Sequence, residues 1–245
     1  MTTLLGEDRF LRAALAANRE IYALVQEPTQ MLYMPLQRGA GGDVTHGIDQ
    51  VAEDIFAAHL KSFGKILSEE SGTIGEGEKT IYLDPLDGSD NFLSRFPFYG
   101  TSVALEGPEG IESALISNLA TGLFWIKNRK AFLTGKLQTG TYRPVVGNPD
   151  PKIGIFERAY RSFTYAERLK KAKIKYRVPG AMALSLALAH DVDFILMEGE
   201  LRDFDVKAGL FMCEDLYQHK HKDLTIICQH ENSFMQLKKI VLEDE

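Results

Sequence analysis

The stretch Ile81-Tyr82-Leu83-Asp84-Pro85-Leu86-Asp87-Gly88-Ser89-Asp90-Asn91-Phe92 constrains the fold of this chain more than any other segment. Its apolar start predicts a short strand, and Pro85, with no amide to give to a ladder, predicts the end of that strand. Gly88 admits whatever backbone angle the following turn demands. Ser89, Asp90 and Asn91 are residue types that open a helix, so the turn is expected to run into a helix whose exposed amides attract an anion. Carboxylates beside an anion site require a cation between them. A hard divalent ion, most simply Mg2+, takes one or two carboxylates and fills its shell with water and phosphate oxygens. The residues alone leave a solvated Asp/Gly turn as the other reading. They exclude a calcium EF-hand loop, because the position two after Asp84 is Leu86, whose side chain coordinates nothing.

The same stretch resembles the first signature of the inositol monophosphatase family of magnesium-dependent, lithium-sensitive phosphatases, Asp-Pro-(Ile/Leu)-Asp-Gly-(Thr/Ser) followed by Asn-Phe. Asp84 to Phe92 depart from it only at Asp90. Three further segments extend the resemblance. Asp43-Val44-Thr45 with Asp49 is similar to the family's Asp-Leu-Val-Thr…Asp, which stands before a helix. Glu69-Glu70-Ser71 is similar to Gly-Glu-Glu-Ser, with Ser68 for the glycine. Phe204 to Gly209 is similar to Trp-Asp-x-Ala-(Ala/Gly)-Gly, with Phe204 for Trp and Lys207 for the first alanine. Without the resemblance, Asp43 closes a turn, Asp49 caps a helix and the glutamate pair is a solvated strand end.

The resemblance implies a phosphomonoesterase in which metal-activated water attacks directly. It assigns Glu70, Asp84 and the main-chain carbonyl of Leu86 to one Mg2+, and Asp84, Asp87 and Asp205 to a second, in a set of two or three ions that Mn2+ can replace and Li+ inhibits. Glu69 is then a solvent-facing neighbour. Asp43 and Ser89 orient the water beside Glu70, the amides of Gly88 and Ser89 receive the phosphate next to Asp87 and Asp205, and Glu198 accepts a substrate hydroxyl. Arg38 stands where the family often has a loop lysine. The implied substrate is a small sugar or polyol phosphate. Fructose 1,6-bisphosphate, histidinol phosphate, NADP and 3'-phosphoadenosine 5'-phosphate are alternatives within the family, and a non-catalytic protein that binds phosphate esters is the alternative of another class. The departures at Asp90, Ala181 and Lys207 support that last reading; Lys207 is expected either to neutralise the metal site or to bind a second anionic group, and Asp90 to oppose highly anionic substrates. A homodimer is implied as well.

At 245 residues, 44% of them hydrophobic, the chain can bury one large core or two lobes. A formal charge of −6 argues against a nucleic-acid partner. The apolar run Gly180 to Ala189 is too short for a bilayer, and Cys213 and Cys228 fit neither a disulfide framework nor a zinc site. With charges where a signal peptide has its apolar core, a cytoplasmic protein with no membrane partner is expected. Apolar periodicity predicts helices over Leu4 to Val25 and from Asp49 to about Phe63, a strand from Lys65, and an antiparallel meander from Tyr99 to Leu133. Beyond it come a strand near Lys152 to Phe156, a helix near Tyr160 to Ala172, a strand near Ile174 to Val178, a helix over Ala181 to Ala189 and a strand over Asp193 to Met197. His219-Lys220-His221-Lys222 reads as a solvated turn. The expected fold class is α+β with α/β character, a layered αβαβα sugar-phosphatase fold. Residues 1–140 form a lobe with an antiparallel sheet, two helices and most metal ligands, and residues 141–245 a lobe with a mixed sheet that completes the site.

Overall fold

The computed structural model describes residues 7–161 and 163–242. Helix α1 (Arg9–Gln26) starts where the Asp8 carboxylate accepts the Leu11 N–H at 3.0 Å, and it buries Phe10, Leu11, Ala14, Ile21 and Val25 along one stripe. The expected start at Leu4 lies outside the described residues. A 3-10 turn (Gln30–Tyr33) leads into a hairpin of β1 (Pro35–Arg38) and β2 (Val44–His46), whose bend is the glycine-rich loop. Helix α2 (Gly47–Leu60) follows at once. Asp49 does not cap it; from the third helical position its carboxylate accepts the His46 N–H at 2.6 Å.

Among the described residues the strands that follow form two large sheets. The first contains β3 (Lys65–Ser68), β4 (Gly72–Ile74), β5 (Thr80–Asp87), β6 (Gly100–Gly107), β7 (Gly110–Asn118), β8 (Leu123–Asn128), β9 (Ala131–Lys136) and β10 (Tyr142–Pro144), in the order β10-β9-β8-β7-β6-β5-β3-β4. Only β3 and β5 pair in parallel. A single-turn helix, α3 (Ser89–Leu93), leaves the end of β5. Residues 145–153 cross to the second sheet, made of β11 (Gly154–Glu157), β12 (Tyr176–Arg177), β13 (Phe194–Glu198), β14 (Tyr217–His221) and β15 (Leu224–Cys228) in the order β12-β11-β13-β15-β14. It is mixed, parallel on the β12 side and antiparallel on the β14 side. Helices α4 (Phe163–Lys171), α5 (Met182–Ala187), α6 (Asp203–Met212) and α7 (Glu231–Leu242) complete the chain.

Strand alternation sorts these elements into layers. On the first sheet Ile81, Leu83, Val103, Leu105, Leu115, Phe124 and Ile126 face α1 and α2. Their neighbours Ala104, Ala114, Ile116 and Trp125 face α5 and α6 on the other side. On the second sheet Ile155, Ile195, Met197 and Ile227 turn towards α5 and α6, and Phe156, Phe194, Leu196 and Ile226 towards α4 and α7. The result is the expected αβαβα sandwich, with α5 and α6 between two sheets.

Two local expectations are corrected. Strand β5 does not end at Pro85. It runs on to Asp87 across a register shift, with Asp84 opposite Ser102 and Asp87 opposite Gly100, so the proline sits in a bulge, where its missing N–H is tolerated. Residues Tyr217–His221 are not a turn but the edge strand β14, which puts His219 and His221 on one face with ring centroids 6.3 Å apart.

Phe56 of α2 is fully buried in the first core, whereas Met235 of α7 is 60% exposed. Phe56→Ala should lower unfolding free energy by about 3–5 kcal/mol, read from urea midpoints, and Met235→Ala by less than about 0.5 kcal/mol.

Candidate active site

The β5 bulge decides where its two acids point. Asp84 shares the parity of Tyr82, so it faces the middle helical layer; three positions on, Asp87 would face the other way in a regular strand. The extra residue turns it back, and both stand on the middle face, 2% and 5% exposed. In the parallel pairing Leu67 lies beside Tyr82, and the Glu69 N–H prolongs that ladder by donating to the Leu83 carbonyl at 3.2 Å. By the same alternation Glu69 falls beside Asp84. Asp205, buried in the first turn of α6, comes in from the opposite side. Carboxylate oxygens of Glu69, Asp84 and Asp205 all lie within 4.8 Å of one another.

The glutamate in this cluster is thus Glu69, in place of the expected Glu70. Glu70 has the other parity, and its carboxylate accepts the Thr45 hydroxyl of β2. Behind it Glu53 of α2 accepts the Ser71 N–H at 3.0 Å, and buried Asp49 is raised to about 7 by burial and by the Glu70 charge, against the His46 N–H. The hairpin is stitched over the site, since Ala40 and Gly41 donate their N–H groups to the carbonyls of Glu70 and Glu69, both at 2.7 Å.

Together these residues enclose a cavity of about 170 Å3 lined from both halves of the chain, among others by Asp43, Glu69, Glu70, Asp84, Leu86, Asp87, Gly88, Ser89, Glu157 and Asp205. Asp43 stands at its rim with an 81% exposed side chain, 3.3 Å from Arg202. Asp90 lines the mouth, exposed in the single turn of α3. Glu198 is not among the lining residues. It shares the parity of Phe194 and Leu196 on β13, so it belongs to the outer face, where burial and then the charges of Asp223 and Glu198 raise the Tyr165 phenol of α4. Lys207 points elsewhere too. Its ammonium lies 3.1 Å from Glu106 and 4.9 Å from the Tyr82 ring centroid, so it pairs with Glu106 and not with the cluster, and it does not line the cavity. Arg38 donates to the Gly42 carbonyl at 2.7 Å and braces its own loop.

Two arginines that the sequence did not single out bear on the cluster. Arg202 holds Asp205 through both carboxylate oxygens, at 2.9 and 3.2 Å, and reaches Glu69 at 2.7 Å. Its place three residues before Asp205 at a helix start was the available signal. Arg158 lies 3.5 Å from Asp205, delivered by a left-handed residue with φ 62° that no pattern in the sequence announces.

The electrostatics follow from crowding. Burial, then the neighbouring charges of Glu69, Asp87 and Asp205, push Asp84 well above the usual carboxylate range. Burial likewise raises Asp87, against the Leu184 N–H that donates to it at 2.8 Å. Burial lifts Glu69 to about 8 although Arg202 opposes it. Among the described residues no cationic side chain pairs with Asp84 or Asp87. An all-oxygen set of converging carboxylates with this deficit of positive charge fits a hard divalent cation.

The sequence model of the inositol monophosphatase family matches residues 7–216. A protein of Methanothermobacter thermautotrophicus named fructose-1,6-bisphosphatase/inositol-1-monophosphatase is 32% identical over 204 residues, covering 74% of this chain and 71% of that one. An inositol-1-monophosphatase of Mesorhizobium japonicum is 28% identical over 222 residues, covering 84% and 80%. Among solved structures, the extragenic suppressor protein SuhB of Bartonella henselae superposes with a TM-score of 0.75 at 21% identity, over 97% of this chain and 98% of that one, which shows the shared fold.

Asp49 and Glu69 have folded-state values raised to about 7 and about 8, so the native state holds more protons than the unfolded chain at mildly acidic pH. Stability is then lost as pH rises through those values. In EDTA the melting temperature should fall between about pH 6 and 8, and a saturating divalent cation should flatten that slope; a rise in EDTA over this window would contradict the arrangement.

Proposed function

The chain belongs to the inositol monophosphatase family of phosphatases, and from that premise we propose that it hydrolyses a small sugar or polyol phosphate with the help of Mg2+ held by Glu69, Asp84, Asp87 and Asp205. The observation that carries this reading is the meeting of three carboxylates from both halves of the chain, Glu69, Asp84 and Asp205, with buried Asp87 lining the same cavity and no cationic side chain opposite Asp84 and Asp87 among the described residues. The Leu86 carbonyl completes the set in the reading inherited from the family resemblance. Bound there, divalent cations polarise phosphoryl oxygens and lower the pKa of water.

The residues divide the remaining work. Asp84 and Asp87 must be ionised to bind a cation, and their raised values make that binding release protons. The α5 amide on Asp87 and the Leu86 N–H on Asp84, at 3.0 Å, fix one oxygen of each. Gly88, in the left-handed region at φ 82°, and Ser89 line the cavity, and in this reading their amides are the N–H donors for the phosphate. With α3 only one turn long, these local amides and not a helix dipole are the donors. Ser89 and Asp43, at the cavity edge, are the groups to hold the attacking water. Arg202 and Arg158 counter excess negative charge that would repel the phosphate. Replacement by Mn2+, inhibition by Li+ and a homodimeric assembly belong to the same reading and rest on the family resemblance of the sequence; a cytoplasmic setting rests on Cys213 and Cys228, which form no disulfide.

Relatives named for both fructose-1,6-bisphosphatase and inositol-1-monophosphatase activities make those two esters the first substrates to offer. Phosphate release from one of them should stop in EDTA and return with Mg2+. Glu69→Gln and Asp205→Asn should each lower kcat by at least about a hundredfold, and Glu70→Gln by much less. Full turnover in EDTA would refute the proposal, and equal losses for both glutamates would refute the choice of Glu69.

A further inference from the structure

The turn that joins β12 to α5 is gripped from both halves of the chain. Glu157, the last residue of β11 and 2% exposed, accepts hydrogen bonds from the N–H groups of Gly180 at 3.2 Å and Ala181 at 3.4 Å and from the Ser185 hydroxyl at 2.5 Å. From the first half, the Asn91 side-chain amide donates to the carbonyls of Phe98 and Pro179, both at 2.7 Å. An acceptor on one side and a donor on the other thus clamp the peptide groups around Gly180, whose φ of 78° lets the chain turn there. A methyl group on Gly88 would come within 3.0 Å of the Ala181 side chain and of the Phe98 carbonyl, so the Asp-Gly-Ser turn lies directly against this segment. Less than one helical turn beyond, the Leu184 N–H meets Asp87.

A buried carboxylate is a costly way to hold a loop, since burial disfavours its charge and three neutral donors offset that only in part. A neutral side chain would tie the segment down at lower cost. What the carboxylate adds is three acceptor contacts in one place, beside Asp87, with little freedom left to the start of α5.

We propose that Glu157 and Asn91 are positioning residues that latch the two halves of the chain at Gly180, so that the Leu184 N–H holds one oxygen of Asp87 and leaves the other aimed at the cation. The inference rests on the reading of Asp87 as a metal ligand. It makes α5 part of the site's support: the metal affinity of an N-terminal carboxylate depends on a hydrogen-bond set anchored in the C-terminal sheet. Ser185, on α5 itself, is the third member.

The test uses the full chain with Glu157→Gln, Ser185→Ala and, as a control, Ser233→Ala, which deletes a hydroxyl bonded at 2.6 Å to Asp193 away from the cavity. Mn2+ binding is measured by calorimetry, with thermal unfolding in EDTA and kcat and KM alongside. Glu157→Gln and Ser185→Ala should weaken Mn2+ binding about tenfold or more and lower kcat in step, with KM within about twofold and the control unchanged. Ser185→Ala keeps every charge, so a loss there separates position from electrostatics; should Glu157→Gln fail to fold, it carries the same expectation alone. Lower melting temperatures with unchanged Mn2+ affinity and kcat would overturn the latch and leave a plain structural tie. A wild-type chain that takes up no Mn2+ would instead overturn the metal reading itself, and the latch with it.

Discussion

Like charges cannot share a dry cavity unless positive charge is brought to them. Carboxylate oxygens of Glu69, Asp84 and Asp205 lie within 4.8 Å of one another, with buried Asp87 adjoining. At that spacing each pair of ionised groups repels by roughly 3 kcal/mol, even with an effective dielectric constant of about 20. Arg202 and Arg158 relieve Asp205, and Arg202 relieves Glu69, but neither pairs with the β5 acids. The fold is therefore arranged around a deficit of positive charge that a hard divalent cation fits.

The layered architecture makes that crowding affordable. Asp84 and Asp87 come from β5, Glu69 from the residue that follows the neighbouring β3, and Asp205 from the start of α6, a helix held between both sheets by Ala208, Met212, Val206 and their neighbours. The apolar clusters on the two faces of that helix hold the acids in place. The hairpin β1–β2, stitched to residues 69 and 70, and the Gly180 segment, tied to Asn91 and Glu157, close the arrangement from either side.

Much of this was legible in the sequence, and the failures have physical causes. Apolar periodicity predicted the helices and the meander, because alternation on half-buried strands is forced by the pleat. The Asp-Pro-Leu-Asp-Gly-Ser stretch and Asp205 pointed to the cavity they line. Pro85 misled because a proline without a donor fits a bulge as well as a strand end, and only the pairing with β6 distinguishes the two. Strand parity, extended two residues past Ser68, would have picked Glu69 over Glu70, and applied to β13 it would have sent Glu198 to the outer face. Lys207 looked functional through its nearness in sequence to Asp205, yet the next face of α6 looks onto Tyr82 and Glu106. Arg158 and Glu157 depend on a left-handed turn and a crossing between sheets, which are long-range features with no local trace.

Glu69, Asp84, Asp87 and Asp205 are the side chains placed to gather a cation. A crystal of the chain grown with Mn2+ and measured at its absorption edge tests this most directly. Anomalous density within about 2.5 Å of carboxylate oxygens of Asp84 and of Glu69 or Asp205 is the predicted result. A fully ordered site with no anomalous peak among these side chains, or with the ion held by Glu70 and Asp43 away from Asp84, would contradict it.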